Sequence, residues 1–283
     1  MLRALFFIVF LPLNLFFWGV LVVLAGLVKL VTFGAVRRAA IRAAAFFGES
    51  FVAFNDAAFD RLLDTRWDIR GVDHLRRDQH YLVISNHLSW IDILAAFRTF
   101  NRRGPFLRFF LKSTLMYAPI VGQAAWALDF PFMRRYSQEY LEKHPEKRGR
   151  DLEATRIACR RYRDVPVTIL NYVEGTRRTK EKQLAQQSPY KHLLKPRVGG
   201  IGFVLASMAD QLDAIYDFTV IYPNGDASMW DLVTNKLPWI VVDVRRLEIP
   251  PELTTTAITE PGPARDQFKA WVEERWREKD QLI

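Results

Sequence analysis

Two kinds of hydrophobic pattern divide the chain. From residue 4 to residue 33 nearly every position is apolar, and only Asn14, Lys29 and Thr32 interrupt the run. As one helix it would extend about 45 Å at about 1.5 Å per residue, against a bilayer hydrocarbon core of about 30 Å. The run therefore predicts a segment that spans at a steep tilt, breaks near Pro12, or dips into one leaflet and returns. A cleaved signal peptide fits less well, because its apolar core is shorter, roughly 7–15 residues, and only Arg3 precedes this one. Residues 36–63 come next with helical spacing, placing Phe47, Phe51 and Phe54 on one face. That predicts an amphipathic helix that packs on the rest of the protein, lies on a bilayer, or does both. Lys29, Arg37, Arg38 and Arg42 gather at the end of the apolar run, a bias that assigns the C-terminal bulk of the chain to the cytoplasmic side.

Beyond residue 64 short apolar runs alternate with helical patterns. Strands are predicted over residues 81–85, 106–111, 126–133, 165–173, 214–222 and 240–247. Helices are predicted over 90–100, 151–162, 200–208 and 266–279, the last with Phe268, Trp271 and Trp276 as its contacts. The stretch 180–189 reads as loop. Interleaved strands and helices predict an α/β fold with a mixed sheet flanked by helices, preceded by an N-terminal membrane-anchoring helical segment. The boundary falls between residues 1–63 and 64–283.

Composition narrows the partners. The formal charge is +9, which favours an anionic surface or a phosphate-bearing ligand. Nucleic acid would satisfy the charge as well, but the arginines are scattered, no recognised module is present and the apolar N-terminus argues for lipid. The single cysteine, Cys159, excludes an intrachain disulfide and agrees with a reducing compartment. His74, His80, His144 and His192 show no metal-ligand spacing, so no metal site is expected.

The chemistry gathers at strand ends. The strand over residues 81–85 runs directly into Asn86-His87-Leu88-Ser89-Trp90-Ile91-Asp92. On a loop entering a helix, Asp92 can fold back to accept the Nδ1–H of His87, leaving Nε2 as a base. A bare pair at this spacing also arises by chance. Ser89 lacks a Gly-x-Ser-x-Gly elbow and reads as a helix cap rather than a nucleophile. The strand over 165–173 delivers Glu174-Gly175-Thr176-Arg177. Gly175 permits close backbone approach, Thr176 adds a hydroxyl and Arg177 offers a bidentate fork for phosphate; a plain turn with a solvated arginine is the alternative. Arg134 and Arg135 close the predicted strand over 126–133, and Lys112 comes just after that over 106–111.

Together these blocks resemble the PlsC-like lysophospholipid acyltransferase family, over residues 81–223, and are nearest in type to its bacterial YihG-like branch. His87-x4-Asp92 is similar to the family's catalytic block. Residues 130–135 resemble its second block, with Arg135, then Arg134, matching the arginine that contacts glycerol phosphate. Val173-Glu174-Gly175-Thr176-Arg177 matches the third block. Residues 215–222 resemble the fourth, although Ile221-Tyr222-Pro223 stands where many relatives carry Pro-Val. Leu193-Leu194-Lys195-Pro196-Arg197 is similar to a stretch in relatives of lysocardiolipin-acyltransferase type.

The resemblance implies a membrane enzyme of the glycerolipid acyltransferase fold. His87 and Asp92 would be catalytic, and Arg134, Arg135, Lys112, Glu174, Gly175, Thr176 and Arg177 substrate-binding. It implies acyl-CoA or acyl-acyl-carrier protein as co-substrate with no further cofactor, membrane phospholipids as partners, and a catalytic domain on the cytoplasmic face of the inner membrane. Lysophosphatidic acid is the default acceptor, with lysophosphatidylglycerol or lysocardiolipin as alternatives. Backbone N–H groups near the start of the helix after His87 are the expected oxyanion donors. A hydrolase using the same pair on water, and a non-catalytic membrane-bound lipid-binding protein, are the competing readings. The oligomeric state is left open.

Overall fold

The computed structural model describes residues 2–133, 150–162, 165–248, 250–253 and 255–283. The chain begins with two long helices, α1 (Leu2–Val31) and α2 (Gly34–Leu62), packed side by side. Asn14 ties them together, its Nδ2 donating to Asn55 Oδ1 at 2.9 Å and to the Phe51 carbonyl at 3.1 Å. α1 continues through Pro12 without a break, and it is long and apolar enough to cross a membrane. Ala4, Phe7, Val22 and Ala25 are buried against the protein, while Leu5, Ile8, Val9, Leu13, Phe16 and Phe17 are exposed. An apolar face of that extent points to membrane association.

One expectation about this segment changes. Lys29 does not sit with the arginines on the surface. It is buried, donating to the Ala127 carbonyl at 2.6 Å and to Asp129 Oδ2 at 3.0 Å. Arg37, Arg38 and Arg42 remain exposed. On the phenylalanine face of α2, Phe47 and Phe54 pack on Trp18 of α1, with ring centroids at 6.1 Å and 5.4 Å, while Phe54 stays 55% exposed, so the face both packs on the protein and reaches its surface.

The domain is built on a six-stranded sheet ordered β1 (Arg66–Arg70), β8 (Trp239–Leu247), β7 (Ala214–Ile221), β2 (Tyr81–Ser85), β6 (Thr168–Tyr172) and β3 (Leu107–Phe109). β7, β2, β6 and β3 are mutually parallel, and β8 joins β7 antiparallel. β2 is buried along its whole length, which suits the unbroken apolar run Tyr81-Leu82-Val83-Ile84. Alternation along the strand divides it between two cores. Tyr81 and Val83 face α1, α2 and α3 (Ile91–Phe100). Leu82 and Ile84 face α5 (Arg150–Arg160), α7 (Val198–Met208) and α9 (Pro263–Leu282).

The region predicted as a strand over 126–133 is mostly not one. Val121–Ala127 forms the short helix α4, favoured by its alanines. The chain then turns at Asp129, at φ +61°, and only β5 (Phe132–Met133) pairs, with β4 (Leu111–Lys112). Pro131 lies just before β5 and its carbonyl accepts from Leu111 N–H at 2.9 Å. The strand predicted over 106–111 is likewise divided at Phe110 between two sheets. Lys180–Ala185 forms a short helix, α6, capped by Thr179 rather than a loop, and Met229–Val233 forms α8. Arg134, Arg135 and His144 lie outside the described residues.

Candidate active site

β7, β2 and β6 are adjacent and parallel, so their C-terminal ends meet at one edge of the sheet, where ligands bind in open α/β folds. The register sets Ser85 beside both Tyr172 and Phe218. Each strand therefore delivers its next loop to the same place. Asn86 fixes the first loop by bonding both polar groups of Val220: its Nδ2 donates to the carbonyl at 2.9 Å and its Oδ1 accepts from the N–H at 3.0 Å. Arg178 N–H donates to the His87 carbonyl at 2.7 Å and Val173 N–H to the Ser85 carbonyl at 3.1 Å. These bonds join the loop after β6 to the loop after β2.

His87 Nδ1 lies 2.9 Å from Asp92 Oδ2, and Asp92 is fully buried at the first turn of α3. Four hydrogen bonds hold that carboxylate. Oδ2 also accepts from Leu88 N–H at 2.6 Å and Ser89 N–H at 2.8 Å, and Oδ1 accepts from the Tyr222 hydroxyl at 2.5 Å. Donors on both oxygens of an acceptor group keep it in place. It fixes the imidazole tautomer that leaves Nε2 free as a base. Tyr172 stacks on the imidazole, with ring centroids 4.1 Å apart and planes at 20°. Ser89 is buried and its Oγ accepts from Ile91 N–H at 3.3 Å, but the N-cap of α3 is Trp90, not Ser89 as expected, and it makes no side-chain cap bond. The N–H groups of Leu88 and Ser89 are turned to Asp92, which removes them as oxyanion donors.

A cavity of about 570 Å³ opens beside His87, within the usual range for ligand sites. Trp18 and Val22 of α1, Phe51 of α2, Phe97, Phe109 and Phe130 make its apolar wall, Trp90, Tyr172, Gly175, Thr176 and Arg177 stand around the histidine end, and Lys112 also lines it. The cavity thus runs from the two N-terminal helices to the imidazole. The Arg177 guanidinium lies 5.1 Å over the Trp90 ring, held by cation–π attraction, and among the described residues no hydrogen bond or ion pair occupies its donors. Thr176 Oγ1 accepts from Lys182 Nζ at 2.8 Å. Lys112 is exposed at the rim.

Glu174 departs from its expected place at a substrate. It is fully buried beneath the turn, where its Oε1 accepts from Leu194 N–H at 3.2 Å. Burial pushes its carboxyl up to about 8, against the opposing pull of the backbone N–H groups of Leu194 and His87 and the charge of Lys279. Lys279 reaches in from α9, fully buried, to pair with Asp217 at 2.5 Å and donate to the Phe218 carbonyl at 2.8 Å. Cys159 is a buried free thiol whose titration desolvation lifts to about 12, which makes it inert.

Sequence reasoning did not identify Tyr172, Tyr222 or Lys279 as parts of this site. Tyr222 had a signal: it stands at the point where the fourth block departs from the Pro-Val of many relatives. Lys279 had none, because a lysine in a charged terminal helix reads as solvated.

A family model described as Acyltransferase matches residues 66–223, more than half of the chain. The chain belongs to the acyltransferase family. It is 26% identical over 71% of its length to "Uncharacterized acyltransferase C428.14" of Schizosaccharomyces pombe. It is 30% identical over 52% of its length to 1-acyl-sn-glycerol-3-phosphate acyltransferase 3 of Arabidopsis thaliana, and 28% identical over 61% to lysocardiolipin acyltransferase 1 of Danio rerio. The matched parts span 58%, 39% and 43% of those relatives' lengths, about half. The fold is that of the crystal structure of the 1-acyl-sn-glycerophosphate acyltransferase PlsC from Thermotoga maritima. That match has a TM-score of 0.55 and 14% identity, covering 96% of this chain and 94% of the other.

Proposed function

We propose that this protein transfers a fatty acyl group from acyl-CoA or acyl-acyl-carrier protein to the free hydroxyl of a lysophospholipid, 1-acyl-sn-glycerol 3-phosphate by default, giving phosphatidic acid. One observation carries the reading: the His87–Asp92 pair stands at the polar end of an apolar cavity that also holds Arg177. The names of the Arabidopsis and zebrafish relatives both specify a lysophospholipid acceptor.

His87 Nε2 takes the proton of the acceptor hydroxyl, and the oxygen attacks the thioester carbonyl. Asp92 stabilises the imidazolium that forms. Collapse of the tetrahedral intermediate breaks the C–S bond, and the imidazolium returns the proton to the departing thiolate. The products are an ester and a free thiol, and the histidine is restored. Base catalysis of this kind contributes about 10²–10⁴-fold. Arg177 and Lys112, together with Arg134 and Arg135, bind the acceptor's phosphate, and the acyl chain occupies the cavity. The enzyme requires no cofactor besides the donor. Gly175 and Thr176 shape the turn that presents Arg177, and Glu174 supports that turn from below.

The N-terminal helices form the anchor of residues 1–63 and residues 64–283 the catalytic domain. The exposed Arg37, Arg38 and Arg42 face the anionic cytoplasmic leaflet of the inner membrane, where each basic residue adds about 1 kcal/mol of attraction. The test is a panel of lysophosphatidic acid, lysophosphatidylglycerol and lysocardiolipin given to membranes carrying the protein, with acyl-CoA and products read by mass spectrometry. A new diacyl product from lysophosphatidic acid supports the reading. Thioester consumption with no such product, or none of either, rejects it.

A further inference from the structure

A second cavity, of about 360 Å³, meets the first at Phe109, Phe110, Tyr172 and Gly175. Its remaining wall includes Asn171, Arg197, Gly199, Gly200 and Phe203. We propose that this cavity holds the phosphopantetheine arm of the acyl donor, with Arg197 binding the phosphate. The inference rests on the acyl-transfer reading above and assigns the site of its second substrate.

Acyl transfer without a protein acyl intermediate requires both substrates at His87 together. The first cavity is apolar over most of its length, and Arg177, beside the histidine, stands where the acceptor's phosphate must lie if the hydroxyl is to reach the imidazole. The donor carrier has a different chemistry: an amide-rich arm with a thioester at one end and a phosphate at the other. The second cavity matches that order. Its inner wall is Tyr172, the residue stacked on His87. The Tyr172 ring forms part of that wall, while its hydroxyl is closed off from the cavity, buried with no hydrogen-bond partner among the described residues. Asn171 offers an amide on the same wall.

Arg197 stands exposed at the outer end. Among the described residues its side chain makes no ion pair and no hydrogen bond, and it lies along the turn at Gly175. A Cβ on Gly175 would come within 3.2 Å of Arg197 Cδ, so the glycine makes room for the arginine to lie there. Arg197 directly precedes α7, whose first N–H groups, at Val198, Gly199 and Gly200, add the positive end of a helix to the guanidinium. Space around Gly199 is open, with no atom within 4 Å of where its Cβ would stand. Transfer then breaks the C–S bond of the arm and forms the C–O ester bond in the first cavity, while the free thiol of the carrier leaves through the second.

The experiment measures donor and acceptor KM for the full-length protein in detergent, with acyl-CoA, acyl-acyl-carrier protein and the acyl N-acetylcysteamine thioester, which lacks the phosphate. Arg197→Ala is expected to raise the KM for acyl-CoA about tenfold, leave the acceptor KM within twofold, and not change the rate with the N-acetylcysteamine thioester. Gly199→Leu, which fills the cavity, is expected to raise the donor KM in the same way without touching Arg197. Whichever carrier shows the loss, free coenzyme or carrier protein, is the source of the phosphate. A rise in acceptor KM alone, or no change in either KM with both variants folded by their melting profiles, overturns the inference. A wild-type protein with no transfer activity overturns the acyl-transfer reading instead, so the two failures are distinct.

Discussion

The Tyr222 hydroxyl donates to Asp92 Oδ1 at 2.5 Å, across 130 residues of chain. It occupies the carboxylate oxygen that His87 does not use, so the aspartate is held on both sides. Burial, and then the Asp92 carboxylate, pushes the Tyr222 phenol well above its ordinary range, which keeps it a donor throughout the working pH range. Tyr222→Phe removes one charge-assisted bond, a loss of roughly 1.5–3 kcal/mol. The expected result is a fall in kcat of about 10- to 100-fold with the acceptor KM little changed, measured by steady-state kinetics. An unchanged kcat would show that the other three bonds orient Asp92 without it.

Arg177 acts on binding rather than on bond making. Arg177→Ala should raise the acceptor KM about 10- to 100-fold and alter kcat much less, the pattern of an interaction equally strong in ground and transition states. Arg177→Lys should recover only part of the loss, because a point charge does not replace a bidentate fork. A variant that lowers kcat alone would place the guanidinium at the reacting atoms instead.

Glu174 makes stability depend on pH. Its carboxyl titrates near 8 in the folded protein and near the ordinary carboxylate value when unfolded. Between those values the folded state holds the extra proton, so stability falls as pH rises through this window and levels off above it. The slope from one such group is at most about 1.4 kcal/mol per pH unit. Glu174→Gln keeps the neutral form and should flatten the dependence of denaturation midpoint on pH between 5 and 8. A slope identical to wild type would mean that Glu174 is charged in the fold.

Lys279 and Asp217 form a buried pair, with side chains 0% and 7% exposed. Removing one partner leaves the other charge unpaired, at a cost of about 3–5 kcal/mol. Lys279→Met should lower stability by that order in urea unfolding. Lys279→Met with Asp217→Asn should recover much of it, because no unpaired charge then remains. No recovery would show that the lysine contributes through its bonds to the Ile84 and Phe218 carbonyls rather than through the pair.

Part of this molecule is legible as a line of residues. Tyr81-Leu82-Val83-Ile84 can only be a buried strand, and a histidine and aspartate just beyond it must fall at its C-terminal end. The run over residues 165–173 delivers the Glu-Gly-Thr-Arg turn by the same logic, and the parallel register brings the two together. Phe268 and Trp276 were readable as the inward face of α9, and both are fully buried. The remainder depended on tertiary contacts. Lys29 reads as a surface cation, but Asp129 and the Ala127 carbonyl, about a hundred residues away, draw it inward. Residues 126–133 look strand-like in composition, yet alanine propensity and a left-handed turn at Asp129 give a helix end and two paired residues. β1 escapes notice because Arg66-Trp67-Asp68-Ile69-Arg70 alternates charge with bulk at a sheet edge. The hydroxyl of Tyr222 acquires its orienting role only when β7 is laid beside β2.

The proposed chemistry stands most directly on the imidazole. The deciding measurement is the rate of diacyl product formation from lysophosphatidic acid and acyl-CoA by wild type and His87→Ala, with equal amounts of folded protein in the same membranes. The expected result is clear turnover by wild type and a loss of at least about 10²-fold in the variant, with Asp92→Asn also impaired. Equal product from wild type and His87→Ala would contradict the role given to His87.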